Sequence, residues 1–301
     1  MTETITGLIA APFTAFDKRN EVDYAVVPRQ VDALLEQGVS GAYVLGTTGE
    51  GVSCSLEERL NLMEAWSRAA HGRLKLIAHI GALALPEVKI LARQAVKWQF
   101  DATSVVPPTY FRPGGALELA RYLAEVAAYA PELPFYYYHT MMARLDIPAT
   151  ALLETVEAQC PIPNLAGVKF NHHDLFDYQC ARRVAGGKYD IVYGVDEFFA
   201  GALTLGARGF IGSTYNYAAK LYRQIWDDWE SDRHEAVLSG MRIVCDGVRL
   251  LHQYGGLPCG KALMRLRNLN LGGVRPPLTA LSEARQQELL DRARLVFGES
   301  I

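Results

Sequence analysis

A lysine inside an apolar segment is the residue of this chain whose setting most suggests chemistry. Lys169 stands within the run LAGVKF at positions 165–170. Burying a charged ammonium is costly, so an apolar setting lowers the pKa of a lysine and favours its neutral amine. A neutral amine can attack a carbonyl carbon and form a Schiff base. The alternative is a lysine at a strand end that extends its ammonium into water.

Aromatic residues crowd a second apolar run, FYYYH at positions 135–139. Side chains alternate between the two faces of a strand, so Tyr136 and Tyr138 share one face. A tyrosine that faces a reacting centre can relay a proton, which makes Tyr138 a candidate acid–base group. The alternative is an aromatic core residue with a polar tip.

A glycine-rich segment with two hydroxyl side chains, GTTGEG, occupies positions 46–51. Glycines let backbone N–H groups approach an anion closely, and Thr47 and Thr48 add hydroxyl donors. The segment therefore suits a carboxylate. The alternative is a tight turn in which Thr48 or Ser55 caps the following helix.

Two adjacent carboxylates, Asp196 and Glu197, follow Gly194 in the segment GVDE, and Ser213 stands in the later segment GSTYN. Their oxygens could accept hydrogen bonds from sugar hydroxyls. Two alternatives are open. Acidic residues also favour the first turn of a helix, because the helix dipole attracts negative charge there, and carboxylates also bind metals.

We predict neither a metal site nor a disulfide framework. No partner ligand at suitable spacing accompanies the acidic pair, and the adjacent His172 and His173 point apart with no third ligand after them. The five cysteines are odd in number and contain no CxxC pair. This usage favours reduced thiols in a cytoplasmic protein.

Composition limits the classes of partner. The 301 residues are 50% hydrophobic, and 30 basic against 33 acidic residues give a net charge of −3. Such a chain has ample material for a core and no basic excess, so we expect no nucleic-acid or anionic-membrane partner. No apolar run reaches the ~18 residues of a spanning helix, and the first residues lack the basic region of a secretory signal.

Eight short apolar runs alternate with amphipathic stretches over the first part of the chain. The strand-like runs are 7–12, 41–46, 74–80, 103–107, 134–138, 165–170, 190–194 and 209–212. Most are apolar on both faces, as expected of parallel strands covered by helices. Eight such units match an α/β fold of the (β/α)8 TIM-barrel type, in which chemistry lies at the carboxyl ends of the strands.

Helix signals fit between these runs. One helix carries apolar residues from Val27 onwards and ends at Gly38, another begins at a capping box of Ser55 and Glu58, and a third follows Pro86. A doubly wound sheet is the rival fold, but the first strand is not followed by the GxGxxG phosphate signature. We therefore predict a (β/α)8 barrel over 1–230 and a C-terminal helical extension over 231–301, with helices at 231–254, 259–270 and 281–297.

These strings together resemble the superfamily of dihydrodipicolinate synthase and N-acetylneuraminate lyase, the pyruvate-dependent class I aldolases. The resemblance covers essentially the whole chain, from GLIAAPFT at 7–14 through GTTGEG, the tyrosine ending the fifth strand and GVK at 167–169, to RPPL at 275–278. It implies a TIM barrel with a helical extension, assembled as a homotetramer that needs no cofactor.

The resemblance also implies roles for individual residues. Lys169 is similar to the Schiff-base lysine, Tyr138 to the proton-shuttling phenol, and Thr47 and Thr48 to the pair that binds the pyruvate carboxylate. Tyr110 resembles the tyrosine that crosses a subunit interface in the synthases.

The segments GVDE and GSTYN resemble the N-acetylneuraminate lyase subfamily, in which the residues equivalent to Gly194, Asp196, Glu197 and Ser213 hold the sugar hydroxyls. The synthases carry an arginine five residues after the catalytic tyrosine, where this chain has Ala143.

Two positions beside the expected acceptor site depart from the lyase pattern. The chain reads TMMA at 140–143 where lyases have an Ile-Pro-Ala segment, and Asn171 replaces a small hydroxyl residue that touches the sugar.

The implied reaction is Schiff-base cleavage of a 2-keto sugar acid, N-acetylneuraminate, to pyruvate and N-acetylmannosamine. Three alternatives are open. A related aldolase, dehydratase or hydratase-aldolase would act on another 2-keto-3-deoxy sugar acid or keto acid. A non-catalytic sensor would only bind the keto acid, and a metal-dependent barrel aldolase would be inactivated by chelators.

Overall fold

The computed structural model describes residues 4–298, and eight parallel strands form its centre. Each strand pairs with the next along the chain, and the eighth pairs with the first, which closes the barrel. The strands are β1 Gly7–Ala10, β2 Gly41–Val44, β3 Lys75–His79, β4 Ala102–Val105, β5 Phe135–Thr140, β6 Leu165–Asn171, β7 Asp190–Tyr193 and β8 Gly209–Gly212. The predicted (β/α)8 TIM barrel is confirmed.

Eight helices alternate with these strands and cover the outside of the barrel. They are α1 Val27–Glu36, α2 Leu56–Ala70, α3 Leu85–Lys97, α4 Ala116–Ala127, α5 Ala149–Gln159, α6 Leu175–Ala181, α7 Phe199–Thr204 and α8 Tyr215–Glu230. The predicted capping box begins α2, where Ser55 Oγ accepts from the Glu58 N–H and Glu58 Oε2 accepts from the Ser55 N–H. Ser55, not Thr48, is therefore the capping residue.

Two hydrophobic clusters lie on opposite sides of the strand wall. Alternate side chains that include Ile9, Tyr43, Tyr136 and Tyr138 fill the barrel interior, while Tyr137 and its equivalents pack outward under the helices. This alternation is the normal consequence of a two-residue period closed into a barrel. It confirms that Tyr136 and Tyr138 share a face.

Three further helices follow the barrel, namely α9 His234–Gln253, α10 Leu257–Leu263 and α11 Glu283–Phe297. The helix predicted for 259–270 was wrong at both ends. It begins at Leu257, because Pro258 is accepted in a first helical turn, and its α-helical part ends at Leu263. A 3-10 turn, Met264–Arg267, follows, and Asn268 then takes a left-handed backbone with φ of 57°.

The predicted boundary at residue 230 falls between α8 and α9, and the division into two units stays a prediction. Between residues 4 and 298 the structure contains no helix that is both long and apolar enough to cross a membrane.

Candidate functional site

A buried lysine lies near the carboxyl end of β6. The side chain of Lys169 is enclosed, and the residue is 4% exposed. Its Nζ lies 3.8 Å from the ring centroid of Tyr43 and 4.0 Å from that of Tyr138. The alternative of a lysine extended into water was therefore wrong.

The surroundings of Lys169 favour its neutral amine. Burial lowers the pKa of Lys169 below its ordinary value, and the nearby Tyr138 and Asp196 oppose this effect only in part. The faces of the two aromatic rings stabilise the enclosed ammonium less than water would, so the neutral amine is still favoured. A larger fraction of Lys169 is therefore a nucleophilic amine at neutral pH than in an exposed lysine.

Tyr138 lies directly beside Lys169, since the two residues are register partners in the β5–β6 ladder. Burial is the largest single effect and would raise the pKa of the Tyr138 phenol, but the positive charge of Lys169 and the neighbouring polar side chains together outweigh it, so the net pKa lies below its ordinary value. Hydrogen bonds with the side chains of Thr47, Thr140 and Asn171 act in the same direction as the lysine. The site thus joins an amine and a phenol whose pKa values are both lowered.

A cavity of about 1070 Å³ opens above this pair at the carboxyl ends of the strands. Nine of the ten predicted site residues line it: Thr47, Thr48, Tyr138, Lys169, Asn171, Gly194, Asp196, Glu197 and Ser213. The tenth, Tyr110, lies outside the cavity, with 79% of its surface exposed and its ring against Phe111. The structure therefore brings together every predicted site residue except Tyr110, and their roles stay predictions.

Thr47 and Thr48 lie on the loop after β2, and residues of the C-terminal extension bind this loop. Glu50 of this loop has a left-handed backbone with φ of 51°. Its carboxylate pairs with Lys261 of α10 at 3.0 Å and accepts from the Arg275 N–H at 2.9 Å. The side chains of Glu50 and Lys261 are each 1% exposed, so the loop is fixed by a fully buried ion pair.

Asp196 and Glu197 have different environments although they are adjacent. Asp196 is buried, and its Oδ2 accepts from both the N–H and the hydroxyl of Thr214, at 3.0 and 2.7 Å. Burial raises the pKa of Asp196 to about 6. Glu197 lies nearer the opening, 3.9 Å from the ring of His173, and 28% of its side chain is exposed. A side chain at Gly212 would overlap the Asp196 carboxylate, which explains the glycine there.

Two residues beneath the cavity were missed by the sequence reading. Tyr43 donates to Ser104 at 3.0 Å, and His79 lines the cavity at the end of β3. Burial lowers the pKa of His79 to about 3, so this imidazole is neutral. The available signal was their place near a strand's carboxyl end, where polar side chains of a barrel face the site.

Between residues 4 and 298, no cluster of three or more histidines, cysteines and acidic residues could share a metal ion.

Fold and site together define a (β/α)8-barrel protein with a buried lysine at the carboxyl end of its sixth strand and a phenol beside it. The model of the dihydrodipicolinate synthetase family matches residues 4–294. The chain belongs to this family, so the resemblance seen in the sequence is confirmed.

Several known proteins similar to this chain are named N-acetylneuraminate lyase. The solved N-acetylneuraminate lyase of Proteus mirabilis is 42% identical with a TM-score of 0.95, over 98% of this chain and 99% of that one. The structure from Aliivibrio salmonicida, titled an N-acetylneuraminate lyase (sialic acid aldolase), is 40% identical with a TM-score of 0.95, over 98% and 97%. The N-acetylneuraminate lyase of Homo sapiens is 36% identical over 284 residues, 92% of this chain and 88% of that protein.

Proposed function

We propose that this protein is a carbon–carbon lyase that reversibly cleaves N-acetylneuraminate to pyruvate and N-acetylmannosamine through a Schiff base on Lys169. The observation that carries the proposal is the Lys169 amine, 4% exposed at the base of the cavity and 4.0 Å from the Tyr138 ring centroid. The similarity to lyases of that name supports the choice of substrate.

The first step joins the substrate to the lysine. Thr47 and Thr48 hold the carboxylate of the open-chain keto acid, which directs its C2 ketone towards Lys169. The neutral amine attacks C2, and loss of water leaves a protonated imine. The lowered pKa of Lys169 makes this attack possible near neutral pH, because the protonated amine is not a nucleophile.

The second step breaks the C3–C4 bond. The protonated imine accepts the electron pair of that bond, while Tyr138 takes the proton of the C4 hydroxyl and the aldehyde leaves. The resulting enamine is protonated at C3 and hydrolysed, which releases pyruvate and regenerates the amine. The imine itself is the electron sink, so the reaction requires neither a metal nor an organic cofactor.

The polar side chains above the reacting atoms supply contacts for the sugar portion. Asp196, Glu197 and Ser213 offer oxygens to its hydroxyl groups, Gly194 leaves room for the chain, and Asn171 contacts the same region. Buried polar groups that are arranged to hydrogen-bond a substrate hydroxyl discriminate strongly against a substrate that lacks it.

Assembly and location belong to the same proposal. We propose a homotetramer in which the exposed Tyr110 reaches a neighbouring subunit, supported by the unusual exposure of Tyr110 and Phe111, at 79% and 85%. We also propose a cytoplasmic location, which suits the five free cysteines.

Pyruvate release from a panel of 2-keto sugar acids tests the proposed function, with the nine-carbon N-acetylneuraminate as the expected preferred substrate. Borohydride added with pyruvate is expected to trap one adduct per chain, mapped by peptide analysis to Lys169 and absent from Lys169→Met. An adduct on Lys75 or Lys261 would contradict the mechanism. Preference for a six-carbon acid would instead favour the related aldolase, to which the departures at Asn171 and residues 140–143 point.

A further inference from the structure

Two neighbouring strands place four polar side chains on the same inner face of the barrel. Tyr138 and Thr140 are two residues apart on β5, and Lys169 and Asn171 are two apart on β6. The ladder register pairs Tyr138 with Lys169 and Thr140 with Asn171. Because the side-chain period of a strand is two, the second pair lies directly above the first, towards the cavity.

The upper pair contacts the phenol of the lower pair. Asn171 Nδ2 donates to Tyr138 Oη at 3.3 Å. The Thr140 side chain is close enough to the phenol to lower its pKa, and its Oγ1 accepts from the Met142 N–H at 3.3 Å. An amide NH2 can only donate, so the Asn171 contact uses a lone pair of the phenol oxygen. Such a bond strengthens when that oxygen becomes negative.

We propose that Asn171 and Thr140 are positioning residues that hold the Tyr138 oxygen towards the cavity and favour its proton-accepting form. Both residues stand where this chain departs from the lyase pattern, so the two departures act on one atom. The proposal rests on the proposed function, because it assigns Tyr138 the proton transfer at the C4 hydroxyl. It adds a role that contact with the sugar does not require.

The other groups that face Tyr138 do not make the positioning role of Asn171 and Thr140 redundant. Lys169 of β6 supplies positive charge, and Thr47 on the loop after β2 also lowers the pKa of the phenol. The rings of Tyr43 on β2 and His79 on β3 meet the phenol ring edge-on, with centroid distances of 5.9 and 6.3 Å. Burial lowers the pKa of His79 to about 3, so it contributes no charge at neutral pH. The protonated imine keeps a positive charge beside the phenol, and the side-chain donors act on the phenol oxygen without taking part in the reaction.

Two near-isosteric variants test the proposal. Asn171→Leu removes the donor and Thr140→Val removes the hydroxyl, and neither adds a charge. In the cleavage direction Tyr138 must accept a proton, so losing a donor to its oxygen moves the acid limb of the kcat profile to higher pH. We expect about one unit for Asn171→Leu, about a tenfold loss below the limb, and a smaller shift in the same direction for Thr140→Val, with Thr140→Ser restoring the profile.

A short 2-keto-4-hydroxy acid without a sugar tail is the substrate for this comparison, because no tail can then contact Asn171. Thr155→Val on the outer helix α5, whose hydroxyl donates to the Ala151 carbonyl at 2.7 Å, is the matched control and should leave the profile unchanged. Borohydride trapping of pyruvate is measured in every variant.

The outcomes separate the two proposals. Normal trapping with a shifted limb supports the positioning role. Normal trapping with an unmoved limb in both variants overturns it, and a raised KM for the nine-carbon acid alone would make Asn171 only a substrate contact. Failure of the wild-type protein to trap pyruvate on Lys169 would overturn the proposed function and this inference with it. If Asn171→Leu does not fold, the Thr140→Val and Thr140→Ser pair decides.

Discussion

Two lysines are buried among residues 4–298, and their surroundings differ. Lys169 is 4% exposed and Lys261 is 2% exposed. Each Nζ lies over an aromatic ring, 4.0 Å from the Tyr138 centroid for Lys169 and 4.0 Å from the Phe16 centroid for Lys261. Lys261, however, is held at 3.0 Å by the carboxylate of Glu50, whereas the neighbours of Lys169 are phenol rings.

The difference shows that burial alone does not make a lysine a nucleophile. Burial lowers the pKa of both lysines, to about 8 for Lys261. At neutral pH the Glu50 partner keeps Lys261 mainly as a cation whose lone pair is protonated. Lys169 has no carboxylate at that distance among residues 4–298, and it opens onto the cavity. Access to the cavity and the lack of an ion-pair partner therefore distinguish Lys169, the amine that we propose to react, from Lys261.

The largest expected effect comes from making the ring beside Lys169 resemble that beside Lys261. Tyr138→Phe removes the phenol oxygen and leaves the ring, as Phe16 provides for Lys261. General acid–base groups typically contribute about 10²–10⁴-fold, so kcat for cleavage should fall by that factor. Trapping of pyruvate on Lys169 should continue, because the amine and the threonines are intact.

Tyr137→Phe is the matched control, since Tyr137 stands on the same strand but packs in the outer core. We expect it to leave turnover nearly unchanged. Equal losses in the two variants would show that Tyr138 acts only through packing. Near-normal turnover of Tyr138→Phe would place the proton relay elsewhere, with Tyr110 as the next candidate.

The second effect concerns stability rather than turnover. Lys261→Met leaves the Glu50 carboxylate buried without its cation, and breaking a buried ion pair typically costs about 3–5 kcal/mol in the free energy of unfolding. Urea denaturation should show a loss of that size. Borohydride should still trap pyruvate on Lys169 in the fraction that is folded.

The double variant Lys261→Met with Glu50→Leu sharpens this prediction. Replacing both charges by apolar groups should restore most of the stability, but not all of it, because the Arg275 N–H loses its acceptor. A loss below about 1 kcal/mol in the single variant, within the range of an exposed pair, would contradict the assigned role of the pair.

The local sequence around Lys169 indicated a buried lysine. The local sequence around Lys261 is similar, so it does not show which of the two lysines has an ion-pair partner. Both stand among small and apolar residues, and the partner of Lys261 is 211 positions away in the chain. That pairing exists only because α10 packs against the loop after β2, a contact between distant segments. The eight strands were predictable because each is a local apolar run with its own helix. The link from Asn171 to Tyr138 was not predictable, since it depends on the β5–β6 register.

The smallest expected effect separates the two adjacent acidic residues by their effect on the pKa of Lys169. Asp196 is the carboxylate whose charge raises the pKa of Lys169 against the effect of burial. Asp196→Asn removes that charge above pH 6, so the pKa of Lys169 should fall further. More free amine is then present at a given pH, and the acid limb of imine formation should move to lower pH by a fraction of a unit. The measurement is the rate of borohydride-trapped pyruvate against pH.

Glu197→Gln is the matched comparison, because it makes the same change one residue further along, at the rim of the cavity. Its imine profile should stay that of the wild type. Use of the nine-carbon sugar acid should nevertheless weaken more than use of a six-carbon one, by about fivefold, because a neutral amide accepts a hydrogen bond from a tail hydroxyl about 1 kcal/mol less strongly than a carboxylate does. If both acids weaken equally, Glu197 is structural and acts through the helix dipole. If Glu197→Gln shifts the imine profile as much as Asp196→Asn does, both carboxylates act on the pKa of Lys169. The contrast between Lys169 and the ion-paired Lys261 would then be only one of degree.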